Sequence, residues 1–265
     1  MPDPAVELIM SEFGSGRRNA GGAQLAVGDR LNPTLDSFRR IYPHAAVTVY
    51  TDQPAEFGEG IDIVRVDPPF DSSQERYGWR AHDYYQAHGL LQSKADVAIA
   101  MDSDMIIVSD EFRAIAEFAA IFGLAIPVNP RLLLKIDGGI GADSTYKPAS
   151  DRTRGTGLTF NLTPLAFATS HAPARALLRR YCELLLARPG RGAVHLVQAS
   201  YESGYQPYVL PPQWCVCSPR DLDSKHLWLN AIALHVGHRD VLPRWKREIG
   251  LAKWRSRLAG LKGWR

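Results

Sequence analysis

Cysteine is scarce in this chain, with three among its 265 residues. Cys182, Cys215 and Cys217 are too few and too clustered for a disulfide framework, which needs several well-spaced pairs. The spacing of the last two also differs from the usual spacing of zinc ligands. We therefore predict a reducing compartment and interpret all three cysteines as packing residues.

Long apolar runs and a basic start are also missing. No stretch approaches the ~20 apolar residues that a membrane-spanning helix needs. Residues 1–4 lack the positive charge of a signal peptide, and no apolar core of the required kind follows them. These absences predict a cytoplasmic protein without a membrane span.

A strong excess of one charge sign is absent too, since 31 basic residues face 28 acidic ones, for a net charge of +3. The distribution is uneven: residues 239–265 hold nine basic and two acidic residues, and residues 1–238 hold 22 and 26. A slightly acidic body lacks the positive surface that nucleic-acid binding requires. We therefore predict no nucleic-acid partner.

The basic tail, residues 239–265, has the pattern of an amphipathic helix. Leu251, Trp254, Leu258 and Leu261 fall on one helical face, with lysines and arginines around them. We expect this face to pack on its own domain or to form a homo-oligomer with a second copy of the chain. Peripheral contact with an anionic membrane is the alternative.

Strands alternate with helices through the first two thirds of the chain, as in a mainly parallel α/β sheet. Apolar spacing predicts helices over residues 31–41 and 79–93 and a further helix that begins at Pro164. Residues 135–156 are predicted to form a long loop. The predicted strands cover residues 6–10, 47–50, 61–66, 97–101, 106–108, 124–128 and 158–162.

Two carboxylates follow the most apolar of these strands. Asp102 and Asp104 stand one residue apart at the carboxyl end of residues 97–101, the sheet edge at which open α/β proteins bind ligands. Side chains two apart in an extended segment point the same way, so both can address one cation. A strand-ending turn explains the same residues, because Asp and Ser favour turns.

In this block the sequence resembles the GT-A-fold glycosyltransferases that use nucleotide sugars, in particular the glycogenin-like branch. Residues 91–105 are similar to that family's helix, strand and D-x-D motif, and residues 47–52 to its second strand. Residues 155–162 resemble its acceptor-side strand. Residues 233–238 resemble its late strand, in which a metal-binding histidine precedes a glycine.

The resemblance implies an α/β fold of the GT-A, Rossmann-like type, with a mostly parallel sheet, helices on both faces and a C-terminal basic amphipathic helix. The glycosyltransferase domain would cover residues 1–238, with the tail over 239–265. Its nucleotide-binding half would be residues 1–105, and its acceptor-binding half residues 106–238.

The implied activity is that of a metal-dependent hexosyltransferase in carbohydrate biosynthesis. It would move a sugar from a GDP-mannose or UDP-glucose type of donor to a carbohydrate hydroxyl, with retention. Mn²⁺ or Mg²⁺ would neutralise the charge on the nucleoside-diphosphate leaving group. The implied metal ligands are Asp102, Asp104 and His235, with His238 as the alternative histidine.

The remaining site residues are those that the resemblance implies, together with polar residues near the matched segments. The expected donor contacts are Ser11, Thr51, Asp52, Arg80, Lys94, Asp102, Ser103 and His238. The expected acceptor contacts are Gly138, Gly139, Gly157 and Asn161. The expected catalytic residues are Asp104 together with Gln198 and Glu202, which are polar candidates for a position beneath the sugar.

Three other functions fit parts of the pattern. A sugar-nucleotide pyrophosphorylase needs a glycine-rich loop with Arg and Lys after the first strand, and residues 14–18 are only a faint echo of that loop. A nucleotide-sugar-binding scaffold would keep the fold and lose turnover. An aspartate-nucleophile phosphatase also uses D-x-D after a strand, but its motif stands near the start of the domain and has Thr or Val where this chain has Ile106. The sequence also departs from the glycosyltransferase pattern, because Arg239-Asp240-Val241 replaces the Lys-Pro-Trp that commonly follows the histidine.

Overall fold

A computed structural model describes residues 4–13, 27–53, 60–71, 73, 77–132, 158–188, 190, 192–217, 228–237 and 241–262. Its strands are β1 Val6–Glu12, β2 Ala46–Thr51, β3 Asp62–Arg65, β4 Val97–Ala100, β5 Met105–Ile107, β6 Leu124–Leu132, β7 Leu158–Phe160, β8 Leu165–Ala168, β9 Tyr208–Leu210 and β10 Ala233–His235. Its α-helices are α1 Val27–Ile41, α2 Tyr77–Gln92, α3 Ala114–Phe122, α4 Ala172–Ala187, α5 Gly192–Ser203 and α6 Val241–Lys262.

Eight strands form one mixed, mostly parallel sheet in the order β3-β2-β1-β4-β8-β6-β7, with β9 beside β6. The first four of these strands are parallel, and β8 runs antiparallel between β4 and β6. Strands β5 and β10 form a separate antiparallel pair. The predicted α/β, Rossmann-like fold is confirmed.

Helices cover both faces of the sheet, and the side chains of β1 show how. Leu8 and Met10 pack in one core cluster with the buried face of α1, whereas Ile9 packs in another cluster with α2 and α4. Successive side chains of a strand point to opposite faces, so a strand covered on both sides is apolar throughout. This explains the unbroken apolar sequence of β4, all of whose residues are buried.

Helix α2 lies so close to the sheet that one of its positions excludes a side chain. A Cβ at Gly89 would lie 2.5 Å from Ile9 Cγ2 and 2.7 Å from Tyr50 Cε2. We expect Gly89→Ala to lower the free energy of unfolding by about 1–3 kcal/mol through overpacking, although alanine favours helix. Urea denaturation measures the change, with Gly250→Ala as the control because its Cβ would meet nothing within 4 Å. Equal stability of the two variants would contradict this packing.

The predicted helix beginning at Pro164 is wrong in its start. Residues Leu165–Ala168 form β8, which is buried along its whole length between β4 and β6. The helix α4 begins at Ala172, where the His171 side chain accepts a hydrogen bond from the Ala174 N–H as its N-cap. Four apolar residues carry no period that separates strand from helix. Helices α3 and α5 were not predicted, and the predicted loop 135–156 lies outside the described residues.

The predicted helical tail is present as α6, and its first turns belong to the body of the protein. Val241 is buried and Trp245 partly buried in a cluster with Trp228 and Leu234. The apolar face predicted beyond Leu251 lies outside the described side chains, so a homo-oligomer or membrane contact there stays a prediction. The domain limits also stay predictions.

Two expectations from the absences in the sequence have structural counterparts. All three cysteines are buried free thiols, as expected of packing residues. Within the part of the chain that the structure describes, no helix combines the length and the apolar character needed to cross a membrane.

Candidate metal centre and active site

The two carboxylates of the D-x-D segment lie on a turn, and not in an extended segment as the sequence argument assumed. The Met101 N–H still donates to Ile9 O at 3.1 Å, which continues the β1–β4 pairing. The chain then turns, and the Met105 N–H donates to Asp102 O at 3.3 Å. The strand-ending turn and the clustered carboxylates are therefore both present.

Thr34 of α1 holds this turn from below. Its buried hydroxyl lies 2.9 Å from Ser103 O and 2.7 Å from Met105 O, so one donor serves the two carbonyls. Ser103, a predicted donor contact, is only 5% exposed. Sequence reasoning missed Thr34; the available signal was a hydroxyl among the apolar residues on the buried face of α1.

Strand β10 brings the histidine to the carboxylates from 131 positions further along the chain than Asp104. Its pairing with β5 sets His235 opposite Met105, and the Val236 N–H donates to Asp104 O at 2.7 Å. His235 Nε2 lies 2.8 Å from Asp104 Oδ1 and 3.6 Å from Asp102 Oδ2. One donor atom from each side chain lies within 4.8 Å of the others.

This cluster has the chemistry of a site for a divalent cation. Two carboxylates and one imidazole suit Mn²⁺, and Mg²⁺ accepts the carboxylates together with water. The Asp102, Asp104 and His235 side chains are 17%, 28% and 21% exposed, so an ion and a ligand can reach all three. The residues present therefore fit the predicted metal.

Burial and charge set the protonation of the cluster. Burial acts to raise the pKa of Asp102, but His82, His235 and the Gln86 amide outweigh it and hold that pKa well below its ordinary range. Burial acts to lower the pKa of His235, yet the neighbouring Asp104 and Asp102 carboxylates raise it to about 9. The raised pKa predicts that, without a metal, His235 carries a proton at neutral pH beside the Asp104 carboxylate.

Metal binding at this cluster must be pH-dependent, because a cation coordinates only neutral imidazole. His235 keeps its proton up to about pH 9, so each bound ion displaces one proton. We expect Mn²⁺ affinity to rise about tenfold per pH unit between pH 6.5 and 8.5. Calorimetric titrations in buffers of different ionisation enthalpy measure both the affinity and the proton release. A pH-independent affinity would show that His235 is not a ligand.

The inner side of the cluster is formed by α2 and the end of β1. His82 Nε2 lies 2.8 Å from Asp102 Oδ1, and the Gln86 amide donates to the same oxygen at 3.0 Å. The other ring nitrogen of His82 lies 2.7 Å from Ser11 Oγ. Ser11, a predicted donor contact, is buried and bound to this histidine. Sequence reasoning missed His82 and Gln86, although their spacing places both on one face of a helix.

A third carboxyl group, Asp83, stands next to His82 on α2. Burial raises the pKa of Asp83 to about 7, while His82 and a hydrogen bond from the Gly192 N–H oppose the rise. The Tyr181 hydroxyl is buried beside the same glycine and has no hydrogen-bond partner among the described residues. Because Gly192 is the first residue of α5, the Asp83 carboxyl on α2 caps the N-terminus of α5 by accepting its first N–H.

The residues predicted to bind the nucleotide at β2 lie on the same sheet edge as the cluster. Thr51 ends β2, which runs parallel to β1, and its buried hydroxyl accepts from the Gln53 N–H at 3.1 Å. Asp52 Oδ2 accepts from the Tyr77 hydroxyl at 3.1 Å. Burial, followed by the Asp52 charge, raises the pKa of Tyr77 to about 12, so this hydroxyl remains a donor. No role for Tyr77 was predicted from the sequence either.

The structure does not bring two of the predicted donor contacts, Arg80 and Lys94, to the cluster. The Arg80 guanidinium donates to Leu185 O and Leu186 O at 2.8 and 3.0 Å and lies over the Phe70 ring. It thereby ties α2 to the end of α4. Lys94 is exposed and precedes β4, so the whole strand separates it from Asp102. The contact of Arg80 and Lys94 with the donor stays a prediction.

The predicted catalytic residues Gln198 and Glu202 on α5, and the predicted acceptor residue Asn161 after β7, have other contacts. Glu202 accepts from Arg180 Nε at 2.6 Å and from the Gln198 amide. Gln198 is 5% exposed, and its Oε1 has no hydrogen-bond partner in the described ranges. The Asn161 amide donates to Val128 O at 3.3 Å and lies 3.8 Å from Cys217 Sγ. Outside the described residues lie Gly138, Gly139, Gly157 and His238.

Comparison with known sequences adds no family. No protein-family model matches the chain, and no curated protein sequence matches it. Solved structures are similar to this chain, but their sequence identities are so low that they show the fold alone.

The apo structure of WbbM, a bifunctional glycosyltransferase, is similar over 88% of this chain with a TM-score of 0.53 and 10% identity. The chain covers 46% of that protein, which is less than half of its length. The likeness shows that the two chains share their fold. The glycogenin-like branch stays a prediction.

Two further structures are similar at lower TM-scores. Apo mouse xyloside xylosyltransferase 1 has a TM-score of 0.48 and 11% identity, over 88% of this chain and 97% of that one. The 2-C-methyl-D-erythritol 4-phosphate cytidylyltransferase from Thermus thermophilus has a TM-score of 0.45 and 18% identity, over 78% and 88%.

Proposed function

We propose that this chain is a divalent-metal-dependent glycosyltransferase that takes its sugar from a nucleoside-diphosphate donor. The observation that carries this proposal is the cluster of Asp102, Asp104 and His235 at the carboxyl edge of the sheet. Ligands of open α/β sheets bind at that edge. The fold is that of a solved glycosyltransferase, which is the second support.

The three cluster residues would hold the cation, which supplies positive charge for the diphosphate leaving group. Asp102 contributes a carboxylate that is ionised at any physiological pH, because its pKa is held low. His235 releases its proton when it becomes a ligand. Thr51 and Asp52 lie at the same edge of the sheet, at the end of β2, where they would contact the base or ribose of the donor.

We propose Asn161 for the acceptor side, and Gln198 with Glu202 as catalytic residues beneath the transferred sugar. The buried Gln198 Oε1 is an acceptor without a partner in the described residues, so a sugar hydroxyl would satisfy it. We further propose a donor of the GDP-mannose or UDP-glucose type, a carbohydrate hydroxyl as acceptor, and retention of configuration. These finer assignments rest on the family resemblance in the sequence.

A thermal-shift panel tests the proposal. UDP, GDP, CDP and ADP are each added with and without Mn²⁺, and a nucleotide at 100 times its Kd should stabilise the fold by about 2.7 kcal/mol. We expect one diphosphate to stabilise strongly, and only with Mn²⁺. The matching nucleotide sugars are then assayed for release of that diphosphate. Stabilisation without turnover on any sugar would favour the scaffold alternative, and no stabilisation at all would overturn the proposal.

A further inference from the structure

His82 is placed so that both of its ring nitrogens are used. It is 9% exposed on α2, with Nε2 2.8 Å from Asp102 Oδ1. Its Nδ1 lies 2.7 Å from Ser11 Oγ and 3.0 Å from Ser11 O. Since an ionised carboxylate only accepts hydrogen bonds, Nε2 is the donor to Asp102. The ring therefore links the end of β1 to the carboxylate that follows β4.

The two oxygens of Asp102 are divided between two neighbours. His82 and Gln86, four residues apart on one face of α2, both contact Oδ1, at 2.8 and 3.0 Å. Oδ2 faces the other way, 3.6 Å from His235 Nε2. The backbone is fixed as well, because the Asp102 N–H donates to Thr163 Oγ1 at 2.9 Å. The helix thus immobilises one oxygen and leaves the other for the cluster.

The far end of the ring is fixed by a rigid element. Ser11 is fully buried in β1, the central strand that pairs with both β2 and β4, and its hydroxyl also lies 3.2 Å from His82 O. The ring cannot rotate without breaking contacts at both nitrogens. Partners of this kind typically contribute 10–100-fold to metal affinity by orienting the ligand that they touch.

We propose that His82 is a positioning residue that aims the Asp102 carboxylate at the cation site. This inference rests on the proposed metal-dependent function. His82 is not itself in the group of side chains whose donor atoms converge, and its Nε2 is occupied by Oδ1. A purely structural role, in which His82 only fastens α2 to β1 through Ser11, predicts instead that His82→Asn binds metal at least as well as His82→Gln.

The pair His82→Gln and His82→Asn separates these roles. The terminal amide nitrogen of glutamine takes the place of Nε2 and can donate to Asp102, whereas that of asparagine takes the place of Nδ1 and reaches only Ser11. We expect His82→Asn to weaken Mn²⁺ affinity about 10–100-fold, and His82→Gln to stay within about threefold of the parent. The free Mn²⁺ signal in electron paramagnetic resonance, recorded with UDP or GDP present, measures the affinity.

Thermal unfolding of the same samples shows what each variant does to the fold. An asparagine variant that binds Mn²⁺ as well as the glutamine variant, or better, would overturn the proposal. Where neither variant folds, Ser11→Ala decides, because it keeps the imidazole and removes the hydroxyl that lies 2.7 Å from Nδ1 and fixes the ring; unchanged Mn²⁺ affinity there would overturn the proposal. A parent protein that binds no Mn²⁺ with either nucleotide overturns the proposed function instead.

Discussion

Asp104→Ala is expected to abolish measurable Mn²⁺ binding and to reduce sugar transfer on the order of 10²–10³-fold or more. The variant removes the oxygen that lies 2.8 Å from His235 Nε2, and with it one of only three side chains that converge in the described residues. The fold should survive, because the side chain is partly exposed and its backbone carbonyl still accepts from Val236. Titration of Mn²⁺, turnover and thermal unfolding measure the three effects.

Asp110→Ala is the matched control for this variant. It removes the same charge six positions further along, from a side chain that is 86% exposed and paired with Arg40. We expect Mn²⁺ affinity and turnover to match the parent, since exposed ion pairs contribute little. Full metal-dependent activity in Asp104→Ala, or an equal loss in both variants, would contradict the assignment of the cluster.

Gly237→Ala should damage the same site from the other side of the cluster. A Cβ at this position would overlap Asp104 Oδ2 and lie 3.0 Å from its Cγ, so the carboxylate must shift from its place beside His235. The residue itself is exposed, and no core packing depends on it. We expect Mn²⁺ affinity to fall about 10–100-fold, with a small change in melting temperature.

Two other glycine variants give this experiment its contrast. Gly250→Ala meets no atom within 4 Å and should change neither affinity nor stability appreciably. Gly89→Ala strains the contact between α2 and the sheet and should lower stability. If the Mn²⁺ titration of Gly237→Ala coincides with that of Gly250→Ala, the steric explanation is wrong.

Much of the fold was predictable because the relevant signals are local. The buried stripe of α1 repeats at helical spacing, and the unbroken apolar run of β4 is typical of a strand covered on both faces. The carboxylates after that run marked the ligand edge for the same reason. Where the signal was too short, prediction failed: β8 has four apolar residues, and only its burial between two strands makes it extended.

The limit of sequence-based prediction is clearest at the candidate metal site. Residue types in sequence were enough to predict two carboxylates, a late histidine and hence a divalent cation. The supports of those ligands were not predictable, because Thr34 and His82 are ordinary residues far away in the chain, and Gly237 entered the prediction only as the glycine after the histidine. They reach the D-x-D turn only through the packing of α1 and α2 and the register between β5 and β10.

The sequence by itself therefore determined which chemical groups this protein has and at which edge of the sheet the carboxylates stand. Only the tertiary structure decided how they are arranged and charged. Hydrogen-bond geometry and burial depend on distances of a few ångströms between segments, and those distances shift proton affinities. This is why His235 has a pKa of about 9 beside Asp104, a shift that the residues next to it in the sequence do not predict.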